Sequence, residues 1–167
     1  DFKKLGESKA ALDSFYQINR GEDETRYDFC VRNGWHQYID AMIAVDYLIL
    51  NRDRHGANIE VLRDVRKRSI RIAPLFDHGL SLLCTCYSDE EIECFDIMAD
   101  KPCQNFIGGR STLENLRMIK DKGNIFRTKL KREHKELILK DLNLVLSETH
   151  REKLWDMIWE RWCEYEK

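Results

Sequence analysis

A chain of 167 residues suits one domain, and 43% hydrophobic content with four Trp, seven Phe and six Tyr is enough for a sizeable core. The 28 Lys and Arg nearly cancel the 30 Asp and Glu, so the net charge of -2 lacks the basic footprint of a general nucleic-acid binder. No apolar run is long enough to cross a membrane: residues 41 to 50 come nearest and contain Asp46. No charged start leads into an apolar stretch as in a signal peptide.

The chain opens on Asp1 rather than Met, which is expected of a fragment or a processed product. Residues 7 to 18 set Ala10, Ala11, Leu12, Phe15, Tyr16 and Ile18 among polar residues and predict a helix, followed by a polar loop over 20 to 26. Residues 34 to 50 predict a second helix, with Trp35, Tyr38, Ile39, Met42, Ile43, Asp46 and Leu50 recurring three or four apart, so that the apolar members share a face. Its last turn is apolar almost all round, which predicts burial on several sides. This helix leads directly into Asn51-Arg52-Asp53-Arg54-His55-Gly56-Ala57-Asn58.

Two short alternating runs follow, residues 59 to 63 and 69 to 73, joined by a polar, basic connection. They predict a β-hairpin with an exposed tip. Pro74, which lacks an N–H for the ladder, stops the second strand just before Asp77-His78-Gly79. A hairpin returns the chain to its start, so Asn58 and Asp77 are expected close in space. Residues 81 to 86 read as a further extended piece, 88 to 93 as an acidic segment and Gly108-Gly109 as a turn. The rest reads as helical: Ser111-x-x-Glu114 as a capping box, patterns over 129 to 139 and 141 to 146, and a last helix opening at Thr149-x-x-Glu152. The expected fold is mainly α with a small β-hairpin, in a single domain.

The six cysteines are Cys30, Cys84, Cys86, Cys94, Cys103 and Cys163. Within the 84 to 103 cluster the gaps are one, seven and eight residues, unlike the paired spacing of structural zinc sites. They read as reduced, structural thiols of a cytoplasmic protein.

An Asp, an Asn five residues later and a second Asp beyond a hairpin is a spacing suited to phosphotransfer. One carboxylate orients the hydroxyl of the acceptor, and an amide oxygen and a second carboxylate hold the metal that bridges nucleotide phosphates. Both metal groups are oxygen donors, the preference of Mg²⁺. Asp53 is therefore the candidate acceptor-facing carboxylate, and Asn58 and Asp77 the candidate metal ligands. Taken singly, each also suits an ordinary turn or cap. Asn51 reads as the helix end, and Arg52 and Arg54 as solvated. His55 reads as a packed loop histidine or a phosphate or acceptor contact, and His78 as a support between Asp77 and Gly79. The tip over 63 to 68 and the basic stretch 120 to 135 read as solvated surface or as contacts for an acidic partner.

Asn51-Arg52-Asp53-x-x-x-x-Asn58 is similar to the catalytic loop of protein kinases, with Asn where His is usual, and Asp77-His78-Gly79 to their Asp-Phe-Gly motif. Together with Ala73-Pro74-Leu75-Phe76-Asp77, the fuller wording resembles the HipA-like serine/threonine kinases, which carry an Asp-x-His-x-x-Asn loop and a Pro-Leu-Tyr-Asp segment. The resemblance spans roughly residues 46 to 83. It implies a protein-kinase-like C-terminal lobe, with Asp53 as catalytic base and Asn58 and Asp77 binding Mg²⁺. It also implies ATP as donor, a protein hydroxyl as acceptor and, in many members, a toxin paired with a DNA-binding antitoxin. Asp53-Arg54-His55-x-x-Asn58 also resembles the loop of phosphoinositide kinases, which keeps a lipid kinase as an alternative. Neither a G-x-G-x-x-G loop nor a V-A-I-K-like strand precedes Asp46. The smaller lobe is thus expected to be absent from this chain, and the isolated chain to be inactive. A pseudokinase or binding module that kept the motif is the non-enzyme alternative.

Overall fold

The computed structural model describes residues 2–119 and 122–167, so Lys120, the first residue of the basic stretch, lies outside the described residues. The most apolar helical stretch forms the centre of the molecule. Helix α3 (His36–Leu48) buries Ile39, Met42, Ile43, Ala44, Tyr47 and Leu48. It packs against α2 (Arg26–Arg32), α5 (Thr112–Arg117) and α7 (Glu148–Tyr165). Burial on several sides explains why its last turn carries almost no polar face.

Two apolar clusters divide the interior. One joins α3 to Leu12, Phe29, Trp35, Phe106 and Trp162, with Phe29 set edge-on to Tyr16 at 5.3 Å. The other gathers Leu50, Leu83, Ile92, Leu154, Trp155 and Met157. Leu50 lies just beyond α3 and Leu83 follows Asp77-His78-Gly79, so this second cluster anchors both flanks of the motif region.

Strands β3 (Glu60–Asp64) and β4 (Ser69–Ile72) form the expected antiparallel hairpin, with Val61 opposite Ile72 and Asp64 opposite Ser69. Asp64 holds the tip, its Oδ1 accepting from the N–H groups of Arg66 and Lys67. The expected helix over 7 to 18 is corrected in its first half. Residues Glu7–Ala11 are strand β1, paired antiparallel with β3, and only Leu12–Asn19 are helical (α1). The β3 edge offers five partners, and this tertiary pairing overrides the helix preference of Ala10 and Ala11. The sheet is thus three-stranded, in the order β1-β3-β4, and the Arg71–Glu7 ion pair (2.8 Å) spans it.

Other expectations are corrected locally. Residues 81 to 86 are turns rather than an extended piece. The acidic segment is helix α4 (Asp89–Cys94), capped by Ser88. Residues 129 to 146 hold only α6 (Lys135–Ile138) and single 3-10 turns. The last helix starts from Ser147, not Thr149, because the Ser147 hydroxyl accepts from the His150 N–H (3.1 Å) and donates to Asp89 (2.6 Å). Among the described residues no helix is long and apolar enough to cross a membrane.

Candidate active site

Asp46 lies on the inner face of α3 and is almost fully buried. A buried carboxylate is costly unless paired and hydrogen-bonded. Its Oδ1 accepts from Asn51 Nδ2 (2.8 Å) and from Arg54 Nη2 (2.9 Å), and its Oδ2 from Arg54 Nε (3.0 Å). The expectation that Arg54 is solvated is therefore wrong: the residue has no exposed surface. Arg52, half-buried, keeps a route to solvent.

Asn51 is more than a helix end. Its amide bonds Asp46, while its Oδ1 accepts from the Asp53 N–H (3.2 Å). The backbone around it is strained. Leu50 has φ 50, Asp77 φ 55 and Leu82 φ 58, and side-chain-bearing residues rarely occupy this left-handed region. Such positions persist only where the surroundings fix them. Here the Arg52 N–H donates to Leu80 O (3.0 Å) and the Leu82 N–H to Ile49 O (2.6 Å), locking residues 80–82 onto 49–52.

Asp53 and Arg54 form the short strand β2, paired in parallel with β5 (Gln104–Asn105). The Asp53 side chain is one-third exposed, and the Asn58 side chain turns back to donate from Nδ2 to the Asp53 carbonyl (2.9 Å). Among the described residues no donor reaches the Asn58 Oδ1. His55 Nδ1 accepts from the Ala57 N–H (3.2 Å). In the neutral ring the proton is therefore on Nε2, which faces Asp53 Oδ1 at 3.7 Å, beyond a direct hydrogen bond.

The hairpin returns the chain to this loop, with the Ala73 N–H closing onto Glu60 O (2.8 Å). Arg54 then joins the two segments. Its Nη1 donates to Asn58 O (3.3 Å) and to Phe76 O (2.6 Å), and its Nη2 faces His78 Nδ1 at 3.0 Å. A guanidinium can only donate, so His78 Nδ1 accepts and carries no proton. Burial and the Arg54 charge both push the His78 pKa below its ordinary value. Asp77 sits between these two contacts with an exposed side chain. One guanidinium thus holds the backbone at Asn58 and at Phe76, just before Asp77, and the imidazole of His78 just after it.

Sequence reasoning read Arg54 as surface and gave Asp46 no role. The signal was present: Asp46 is the only charged residue in an otherwise apolar turn, and such a carboxylate requires a partner. Among the described residues no three His, Cys, Asp or Glu side chains converge as a metal site, and all six cysteines are free. A cavity of about 490 Å³ lined by His36, Asp40 and Arg127 includes none of the motif residues.

No family model matches the chain, and no curated protein does. A solved structure matches by fold: the crystal structure of a Helicobacter pylori proinflammatory kinase, CtkA, with a TM-score of 0.60. The fold is kinase-like. The match covers 96% of this chain and 69% of that one at 17% identity, so the likeness is one of architecture: a mostly helical body with small sheets. Nearly the whole chain takes part, including the helices outside the motif region.

Proposed function

We propose that this chain is the C-terminal, large-lobe part of an ATP- and Mg²⁺-dependent protein serine/threonine kinase of HipA-like type. It would transfer the γ-phosphate of ATP to a protein hydroxyl. The observation that carries the reading is the Arg54 guanidinium, which ties the Asp53–Asn58 loop to the segment bearing Asp77. The kinase-like fold gives it independent support.

The residues present fit the metal. Asn58 has its amide nitrogen committed to the Asp53 carbonyl and its oxygen left for a ligand, and the Asp77 carboxylate is exposed. Two oxygen donors with the remaining positions left to water and phosphate suit Mg²⁺. When bound, the ion would neutralise charge on the transferring phosphoryl group. Asp53 orients the acceptor hydroxyl and receives its proton. His55 places its Nε2 beside the same carboxylate, at 3.7 Å, as a supporting neighbour. Asp46 holds Asn51 and Arg54, and through them the loop.

The elements that cover the nucleotide are proposed to lie elsewhere in a longer protein, since no Gly-rich loop or V-A-I-K-like strand precedes Asp46. We further propose that the protein is cytoplasmic and pairs with a DNA-binding antitoxin. The test uses the longest form of the protein with γ-labelled ATP, Mg²⁺, a mixture of proteins and phosphoinositide vesicles. Label in Ser or Thr of protein is the expected result. Label in lipid would move the assignment to the phosphoinositide-kinase alternative, and no transfer at all would favour the binding-module alternative.

A further inference from the structure

Beside β2, His55 opens into a groove of about 440 Å³ whose lining includes Asp13, Arg26, Phe106, Gly109 and Arg110. His55 connects it to the candidate site, since the same ring lines the groove and sets Nε2 3.7 Å from Asp53 Oδ1. The β2–β5 pairing fixes the wall, with the N–H groups of Gln104 and Phe106 donating to the carbonyls of Arg52 and Arg54 (both 2.8 Å). The groove therefore starts one side chain away from the proposed acceptor carboxylate. A sphere of that volume is about 9 Å across, room for roughly three residues of extended chain.

Its charge is distinctive. Arg26 and Arg110 are exposed, and among the described residues neither guanidinium is in an ion pair, unlike those of Arg32, Arg54 and Arg71. Arg26 lies over the Phe106 ring at 5.0 Å, which holds it at the groove edge. Among the described residues Asp13 is the single carboxylate in the lining, so against Arg26 and Arg110 the groove carries a net positive charge with His55 in either state. Exposed Gln104 adds an amide donor and acceptor suited to a peptide backbone.

We infer that this groove is an acceptor subsite for an acidic polypeptide segment, in which a carboxylate near the target Ser or Thr is held by Arg26 and Arg110 while the hydroxyl lies at Asp53. Guanidinium forks match carboxylates in geometry, and two unpaired ones facing one groove select an anionic side chain over a neutral one. The inference deepens the kinase reading and rests on it for the role of Asp53. The groove's preference for acidic peptides does not depend on catalysis.

The probe is a short fluorescein-labelled peptide with a central Ser flanked by Glu, compared with its Gln and Lys counterparts. Binding is read by anisotropy at low salt without nucleotide. The Glu peptide should bind roughly fivefold tighter than the Gln peptide, the size expected of two exposed ion pairs. The preference should vanish in Arg26→Gln/Arg110→Gln and turn toward the Lys peptide in Arg110→Glu, which also shows that the variant is folded. Equal binding of Glu and Gln peptides by the native protein would overturn the inference, as would tight binding to phosphoinositide vesicles with none to the peptides. Phosphotransfer without the acidic preference would remove the groove proposal and leave the kinase reading. The preference without phosphotransfer from the longest form would do the reverse.

Discussion

The Arg54 guanidinium and the Asp46 carboxylate form an ion pair at 2.9 Å with side chains 0% and 3% exposed. Buried pairs of this kind give little net stability over an apolar pair, but breaking one leaves an uncompensated charge. Here the pair has a second use, because the same guanidinium donates to the carbonyls of Asn58 and Phe76. The interior of α3 is thereby connected to Asn58 and to Phe76, the residue before Asp77.

Asp46→Ala should cost about 3–5 kcal/mol of stability, read from urea unfolding, because Arg54 is left charged and unpaired. Arg54→Ala made in the Asp46→Ala background should cost clearly less than Arg54→Ala alone. Strictly additive losses would contradict the coupling.

Two glycines are held by space. A Cβ at Gly56 would lie 2.5 Å from Asp13 Cβ and 2.9 Å from Phe106 Cδ2, and one at Gly108 would lie 2.0 Å from Asn115 Oδ1. Gly108→Ala must displace an Asn115 side chain whose Oδ1 accepts from the Gly109 N–H (2.7 Å). Each substitution should destabilise by about 1–3 kcal/mol in thermal or urea unfolding. Gly56→Ala should also lower phosphotransfer, since the glycine lies within the Asp53–Asn58 loop. A neutral Gly56→Ala would show that this loop adjusts freely.

Burial raises the Cys30 thiol to about 12 and the Cys103 thiol to about 11. Iodoacetamide at mildly alkaline pH should therefore modify exposed Cys84 and Cys94 in the folded protein and spare Cys30 and Cys103 until unfolding. The two buried thiols ionise more readily in the unfolded chain, so their contribution to stability is intact below about pH 9 and is lost as the pH rises toward 11 to 12. Rapid native labelling of Cys30 would contradict the packing around α2.

The His78 pKa is lowered from 6.5, first by burial and then by the Arg54 charge. The unfolded state then binds the proton more readily, so stability should fall as the pH drops below 6.5 and be unaffected by this group above it. His78→Gln should flatten that acid-side slope in unfolding measured across pH. An unchanged slope would show that His78 titrates normally in the folded protein.

The elements read well from sequence were those specified locally. The hairpin alternation gave β3 and β4, and the Ser111 cap is seen in its hydroxyl accepting from the Glu114 N–H (2.9 Å). Helix α2 carries a comparable local signal: Thr25 accepts from the Asp28 N–H (3.1 Å), ahead of buried Phe29 and Cys30. Strand β1 depends on a partner some fifty residues away, and the parallel β2–β5 contact is two residues long. Neither leaves a periodicity to detect. At the candidate site, motif spacing marked Asp53, Asn58 and Asp77. It could not mark Asp46 and Arg54, whose pairing is set by burial.

The central claim is that Asp53 serves phosphotransfer from a loop held by Arg54. Its most direct measurement is transfer of label from γ-labelled ATP with Mg²⁺, by the longest form of the protein, for the native sequence, Asp53→Asn and Asp77→Ala. Neither side chain bonds the buried Asp46–Arg54 pair, and far-UV circular dichroism of each variant checks that it is folded. Transfer should fall at least about a hundredfold in each, the scale of losing a positioned acid–base or charge-stabilising group. Native-level transfer by folded Asp53→Asn would contradict the assignment.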